Sequence, residues 1–315
     1  MASPIETFRR FRALPVGLVC LTFCLVVLGA TVRLMGAGLS CPDWPLCNGQ
    51  LIPTFEGGVF FEWLHRLVAG TVSTIFMGML AWILIHPTLR ARLWKLAVLA
   101  VVMLGVQITL GALTVWKMLN SNVVTTHLGT GTALFGVFIL IALRSLREAA
   151  GEAQPVVQPK GLKPLALLAL FAVYGQILLG GLVASNYASL ACPDWPTCNG
   201  MWLPPMVGYV ATHMIHRFGG YTVFCLIMAL TVLGSRTQDA KTRLGVVVAC
   251  ALVVLQVSLG IANVLLAIPV PLAAAHNGVA ELLWVTMLSL NFHLFGSAAK
   301  ADSSAQEPTL REAVA

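Results

Sequence analysis

Four histidines carry the strongest chemical signal in this sequence: His65, His127, His216 and His276. Each stands near the start of an apolar stretch, and they pair by position, 65 with 216 and 127 with 276. A lone histidine in an apolar segment is ordinarily a helix-packing residue with a hydrogen-bond partner. Four at one depth, two in each half, fit a different use, because imidazoles facing each other across a helical bundle can coordinate a metal in its core. A flat iron macrocycle suits an apolar slot between helices. Zinc suits the pattern less well, since each half offers two nitrogens and no thiolate at that depth.

The neighbours of these histidines sharpen the chemistry. Arg66 and Arg217 directly follow the first histidine of each half. Each could reach the headgroups or neutralise a propionate of a bound haem. Glu62 stands three residues before His65, where the second half has His213 before His216. That spacing puts both side chains on one helix face. An acid there is a reasonable proton acceptor or water-orienting group; its plainer use is an ion pair with Arg66. His213 is an alternative ligand or a propionate partner. Two like sites, one with an acid and one without, suggest a substrate site and a cofactor site. Glu281 is a second acid inside an apolar stretch and fits packing or proton transfer. His86 and His293 read as interfacial residues without chemistry.

Cysteines add a second motif. SCPDWPLCNG at Ser40–Gly49 returns as ACPDWPTCNG at Ala191–Gly200, an offset of 151 residues. Cys41 with Cys47, and Cys192 with Cys198, fit a disulfide within each loop on an oxidising side. Bridges between loops and a metal site are the alternatives, the latter short of further ligands. Whether such disulfides also exchange electrons is open at this level. Cys20, Cys24, Cys225 and Cys250 read as small apolar helix residues.

The elements that must position these groups follow from composition. The 315 residues are 58% hydrophobic and only 10% charged, against about a quarter charged in soluble domains. Mean hydropathy is +0.87. A bilayer core of about 30 Å needs about 20 apolar residues per helix, and eight such stretches lie near 14–34, 61–85, 96–115, 123–143, 165–184, 210–233, 244–266 and 272–294. Backbone groups in lipid must be satisfied within each segment, so the fold class is an all-α membrane protein with eight transmembrane helices. Leu39-Ser40-Cys41 faintly resembles a lipoprotein cleavage site, but Leu190-Ala191-Cys192 repeats it in mid-chain, so the first span is expected to stay.

The duplication extends beyond the loops. Gln107-Ile108-Thr109-Leu110-Gly111 matches Gln256-Val257-Ser258-Leu259-Gly260 at an offset of 149. Four helices per half is an even number, so the expected architecture is two parallel-repeat four-helix bundles, unlike inverted transporter repeats. The expected boundaries are 1–150 for the N-terminal half and 160–300 for the C-terminal half. A polar linker over Arg144–Lys163, with Pro155 and Pro159, joins them, and a polar tail occupies 301–315. Of 19 lysines and arginines, all but Arg33, Arg66, Lys117 and Arg217 fall at the N-terminus, in every second loop or in the tail, Lys300 and Arg311 included. Both termini are therefore expected in the cytoplasm and the cysteine loops outside. The net charge of +7 is a topology signal, and no nucleic-acid partner is expected.

Taken together, Glu62-Trp63-Leu64-His65-Arg66, Thr126-His127-Leu128-Gly129, His216-Arg217, His276-Asn277-Gly278 and the two Cys-Pro-Asp-Trp-Pro-x-Cys loops resemble the haem A synthase family over nearly the whole chain. The resemblance implies oxidation of the C8 methyl of haem O to a formyl group, through an alcohol and a geminal diol that loses water. It implies that His65 and His127 border the haem O site, that His216 and His276 bind a resident haem b cofactor, and that Glu62 matters for activity. Cys41–Cys47 is implied as an outer-loop disulfide, with Cys192–Cys198 a second pair that some members lack. Expected partners are haem O, haem O synthase, cytochrome oxidase assembly factors and an electron acceptor, with homo-oligomer formation compatible. The expected location is a bacterial cytoplasmic (inner) membrane. Two other classes fit parts of the pattern: a quinol-linked dihaem electron carrier would need the histidines but not Glu62, and a membrane thiol–disulfide oxidoreductase would use the outer cysteine pairs. A transporter fits less well, because no helix is conspicuously broken at mid-membrane.

Overall fold

A computed structural model describes residues 3–151 and 158–296 of the chain. Pro155, Lys300, Arg311 and the expected tail 301–315 lie outside the described residues. The described residues are helical throughout apart from loops and two isolated bridges, Cys47 to Gln50 and Cys198 to Met201. In chain order the helices are α1 (Pro4–Phe11), α2 (Ala13–Leu34), α3 (Val59–Ile85), α4 (Pro87–Trp116), α5 (Ser121–Ala150), α6 (Leu162–Ser185), α7 (Gly208–Gly234), α8 (Ala240–Leu265) and α9 (Val270–Gly296). From α2 to α9 they supply eight segments long and apolar enough to cross a membrane, with α1 running into the first. The all-α membrane class is as the sequence predicts.

Helix α1 is the element hydropathy does not reveal. Ser3 caps it by accepting the Glu6 N–H, Pro4 occupies its first turn and Arg9 and Arg10 its last, the distribution that helix ends favour. It is amphipathic, burying Phe8 and Phe11. Phe11 meets Trp82 edge-on at 5.4 Å, and Arg9 donates to the Ala149 carbonyl at the end of α5. Helix α4 begins at Pro87, well before the apolar stretch near 96. Its first turns carry Arg90, Arg92 and Lys95, which a hydropathy window rejects although a helix tolerates them well.

Backbone proximity orders the helices. Helix α2 packs on α3 and α5, α3 on α4, and α4 on α5; in the second half α6 packs on α7 and α9, α7 on α8, and α8 on α9. Across the middle, α5 meets α6 and α9, and α2 meets α9. Helices α3 and α5 make no close backbone approach to each other, nor do α7 and α9. Helices α5 and α9 are the interior pair: 56% and 50% of their most apolar windows are buried, against 17% for the first span and for α8. Below the histidine level the core is dense, with Phe76 and Phe138 in tilted ring contact at a 5.1 Å centroid distance and Met79, Ile83 and Leu93 fully enclosed.

Positions equivalent in the repeat meet where α5 crosses α9. Thr132 and Glu281 are 149 residues apart, the spacing that also relates His127 to His276, and the Thr132 hydroxyl donates to Glu281 Oε1 at 2.9 Å. Trp284 Nε1 donates to the Thr132 carbonyl at 3.2 Å. The second carboxyl oxygen of Glu281 is buried without a partner, so Thr132 is its one side-chain anchor among the described residues. Thr132→Val should therefore lower stability by about 1 kcal/mol, the scale of a membrane interhelical hydrogen bond, while Thr132→Ser should retain it. Thermal unfolding of both variants in one detergent checks this.

Candidate functional site

The histidines sit on the two diagonals that the packing leaves apart. His65 is on α3 and His127 on α5; His216 is on α7 and His276 on α9. Every ring lies against a glycine of an adjoining helix. A Cβ added at Gly29 would stand 2.9 Å from Cε1 of His65, and at Gly111 3.3 Å from that of His127. The second half repeats this, Gly180 against His216 at 3.1 Å and Gly260 against His276 at 3.1 Å. Only a residue without a side chain lets the helix backbone come so close to the imidazole. The glycines follow the repeat offsets, 29 with 180 and 111 with 260. That pairing is legible in the sequence, but the histidines alone do not call for it.

All four rings are half-buried. Nδ1 of His65, His127 and His276 is enclosed without a partner. Glutamines reach a nitrogen of three rings: Gln107 Nε2 lies 3.5 Å from His127 Nε2, Gln256 Nε2 3.3 Å from His276 Nε2, and Gln176 Nε2 3.0 Å from His216 Nδ1. Imidazoles on diagonal helices, each backed by a glycine, fit a flat macrocycle that these histidines would hold between helices. No group of three or more His, Cys, Asp or Glu suited to a bare metal ion occurs among the described residues.

The arginines turn towards the loops. Arg66 donates through Nη1 to the carbonyls of Asp43 and Leu46, and through Nη2 to the Cys41 carbonyl at 2.9 Å and to Glu62 Oε1. Arg217 likewise takes the carbonyls of Thr197, Cys192 and Asp194, each at 2.8 Å. Most of each guanidinium fork is thus engaged in fastening a loop to a helix, a use neither headgroup contact nor a propionate explains. Glu62 is buried, and it is not an isolated acid. Besides Arg66 it holds the Cys41 N–H through Oε2 at 2.8 Å. At the equivalent place in α7, His213 is buried with Nδ1 2.9 Å from the Ala188 carbonyl. Glu62 and His213 therefore both secure the start of their helix to the preceding loop.

Disulfides close both loops, Cys41–Cys47 and Cys192–Cys198, with Cα–Cα distances of 4.7 and 4.6 Å. All four cysteines are buried. Inside each ring an aspartate accepts two backbone N–H groups: Asp43 from Asn48 and Gly49, and Asp194 from Asn199 and Gly200. Arg33, in the last turn of α2, donates to the Tyr187 hydroxyl at 3.0 Å and the Ala184 carbonyl at 3.1 Å, tying α2 to the end of α6. His293 needs a correction: it is paired with Asp239 at 2.5 Å, and Asp239 also accepts from Gln158 and Thr242. A surface groove of about 490 Å³ runs along Trp63, Leu67, Gly70 and Thr74. At 100° per residue these four lie on the face of α3 opposite His65, while Arg66 and Cys47 also line the groove and connect it to the disulfide loop.

The family model for a cytochrome oxidase assembly protein, COX15-CtaA, matches residues 12–288. The chain belongs to the COX15-CtaA family. Relatives from bacteria carry the name haem A synthase. That of Shewanella oneidensis is 33% identical, with 87% of this chain and 93% of the relative aligned. That of Halalkalibacterium halodurans is 28% identical, with 82% and 88% aligned, and that of Caulobacter sp. (strain K31) is 29% identical, with 84% and 90% aligned. The COX15-CtaA match spans both cysteine loops and all four histidines.

The loop aspartates give a pH expectation. The Thr197 hydroxyl and the N–H groups of Gly200 and Asn199 hold the Asp194 carboxyl down at about 2, from an ordinary 3.8. Lowering of this kind means the contribution to loop stability is complete above about pH 4 and is lost as pH falls through about 2. Amide exchange at Asn199 and Gly200 should therefore accelerate over that window, and Asp194→Asn should show fast exchange already at neutral pH.

Proposed function

We propose that this chain is a haem A synthase that oxidises the C8 methyl of haem O to a formyl group. The observation that carries the reading is the duplicated diagonal pair of glycine-backed histidines, in a chain whose relatives bear that name. On this reading the two halves are duplicated four-helix bundles, 1–150 for the substrate and 160–300 for a resident haem b. His65 and His127 hold the iron of haem O; His216 and His276 hold haem b. When bound, haem b supplies one-electron redox capacity.

The protein's own residues supply position and protons. Glu62 shares a helix face with His65, one turn away, and its carboxylate is fixed by Arg66 and the Cys41 N–H. In this place it accepts protons released from the substrate or orients water. Arg66 in turn is set by the carbonyls of the disulfide loop, so loop, guanidinium and carboxylate act as one unit. Arg217 and His213 perform the structural part of this task in the second half and leave it without an acid. Thr125 and Ser185, linked at 3.0 Å, brace α5 on α6 beneath the outer surface. The prenyl tail of haem O accounts for an enzyme embedded in the membrane.

The lysine and arginine bias supports cytoplasmic termini and outer cysteine loops in a bacterial inner membrane. Haem O synthase is the source of substrate, cytochrome oxidase assembly the consumer of product, and an external acceptor takes the electrons. The buried sulfurs give no support to a thiol–disulfide exchange centre.

Haem extraction with mass analysis, after co-expression with a haem O source, tests substrate, product and cofactor together. Wild type should yield haem A and haem b. Glu62→Gln should accumulate haem O or the alcohol, with haem A formation reduced about 10²- to 10⁴-fold, the scale of a lost acid–base group. Normal haem A output from that variant removes the role of Glu62. Haem b alone from wild type under every condition turns the reading into an electron carrier.

A further inference from the structure

One acid of the spans has no part in the site described above. Glu281 meets Thr132, the residue that holds the same place in the sequence repeat, where α5 crosses α9. Each stands five residues beyond a histidine of the site, Thr132 after His127 and Glu281 after His276. Five residues of helix make about 7.5 Å along its axis and about 140° around it. The two side chains therefore lie deeper than the rings and turn away from them, into the seam between the helix of His127 and the helix of His276. A single carboxyl group is thus set between the two histidine pairs.

Its surroundings leave that carboxyl alone. Glu281 and Thr132 are completely buried, and Glu281 Oε2 has no hydrogen-bond partner. Trp284 Nε1 is taken by the Thr132 carbonyl and the hydroxyl of Tyr174, on α6, by the Gly129 carbonyl; the two rings lie 5.4 Å apart. Tyr174 is the titratable neighbour. Among the described residues no lysine, arginine or histidine pairs with Glu281, from its own helix or from α2, α5, α6 or α8. Glu62, in contrast, has Arg66 beside it. A carboxylate without a cation in an apolar interior is strongly disfavoured, so Glu281 is ionised only while a positive charge stands near. A ferric haem core carries one such charge and a ferrous core none. At roughly 10 Å, with an effective dielectric of about 20, a unit charge moves a proton equilibrium on the order of tenfold.

We propose that Glu281 is the proton site of the haem pair: its carboxylate takes up one proton from water as haem b gains one electron from the substrate, and releases it as that electron leaves for the external acceptor. This rests on the functional reading above. One electron and one proton enter together and leave together, so charge and atoms balance. An electron that only passes between the two histidine pairs leaves Glu281 protonated, because the acid stands between them.

The test uses full-length protein purified in detergent without a haem O source and set to a series of potentials with redox mediators. It reads reduced-minus-oxidised infrared spectra, in ordinary and heavy water, and the reduction potential against pH. Wild type should gain on reduction the carbonyl stretch of a protonated carboxylic acid, shifted in heavy water, and its potential should fall as pH rises over a window about one unit wide. Glu281→Gln, which keeps the shape and the Thr132 hydrogen bond, should lack that band and flatten the window. Glu281→Asp and Thr132→Val should keep the band at a displaced frequency, which carries the test if Glu281→Gln loses its haem, and Glu62→Gln should leave it in place. A band that persists in Glu281→Gln, or an equal pH slope in that variant and wild type, overturns the proposal. So does a difference spectrum without any Glu281-dependent band, the result expected of a packing residue. Haem A formation from co-expressed haem O, with no redox-linked change at Glu281, overturns the proposal alone; wild type that purifies without haem overturns the functional reading and the proposal together.

Discussion

The approach of four helix backbones to four imidazole rings is the constraint on which the rest depends. Each contact joins a glycine to a histidine on the next helix, and any side chain at the glycine would push the ring away. Each histidine leans on an adjoining helix, and the diagonal partners α3 and α5, and α7 and α9, make no close backbone approach. Beneath the histidine level, Phe76, Phe138, Met79 and their neighbours fill the space completely. Side-chain volume sets the contrast, with glycines against the rings at the histidine level and large apolar side chains beyond it.

A second constraint acts from the loops. Peptide carbonyls in a short disulfide ring cannot all find partners within the ring, and buried carbonyls need donors. One arginine per half answers this with a fork that bonds several carbonyls together. It leaves the loop, the first turn of the helix and the following histidine mechanically connected. In the first half the same guanidinium also fixes Glu62, so the catalytic reading of that acid and its structural pairing are two aspects of one arrangement. The asymmetry between halves is confined to few positions: Glu62 against His213, and Leu25 against Gln176. Similar scaffolds thus carry different side chains beside the rings in the two halves.

Rare polar residues in an apolar chain made much of this legible beforehand. The eight spans, the repeat, the histidine pairing and the odd acid at position 62 all stand in the sequence, because lipid leaves few reasons for a polar side chain and duplication marks the ones kept twice. Helix α1 was hidden because its amphipathic turn is too short and too polar for a hydropathy window. The partner of His293 was hidden because Asp239 lies on another helix end, 54 residues away in the chain.

Sequence by itself determined fold class, the duplicated order of elements and the identity of the groups that could do chemistry, since composition and spacing are one-dimensional properties. Tertiary structure alone decided what those groups touch. It turned Arg66 and Arg217 into loop clamps, gave Glu62 two partners, set repeat-equivalent Thr132 and Glu281 against each other, and placed glutamines beside three rings and a leucine near the fourth. Those outcomes depend on distances between helices, which helical periodicity leaves free and which side-chain volume and hydrogen bonding fix.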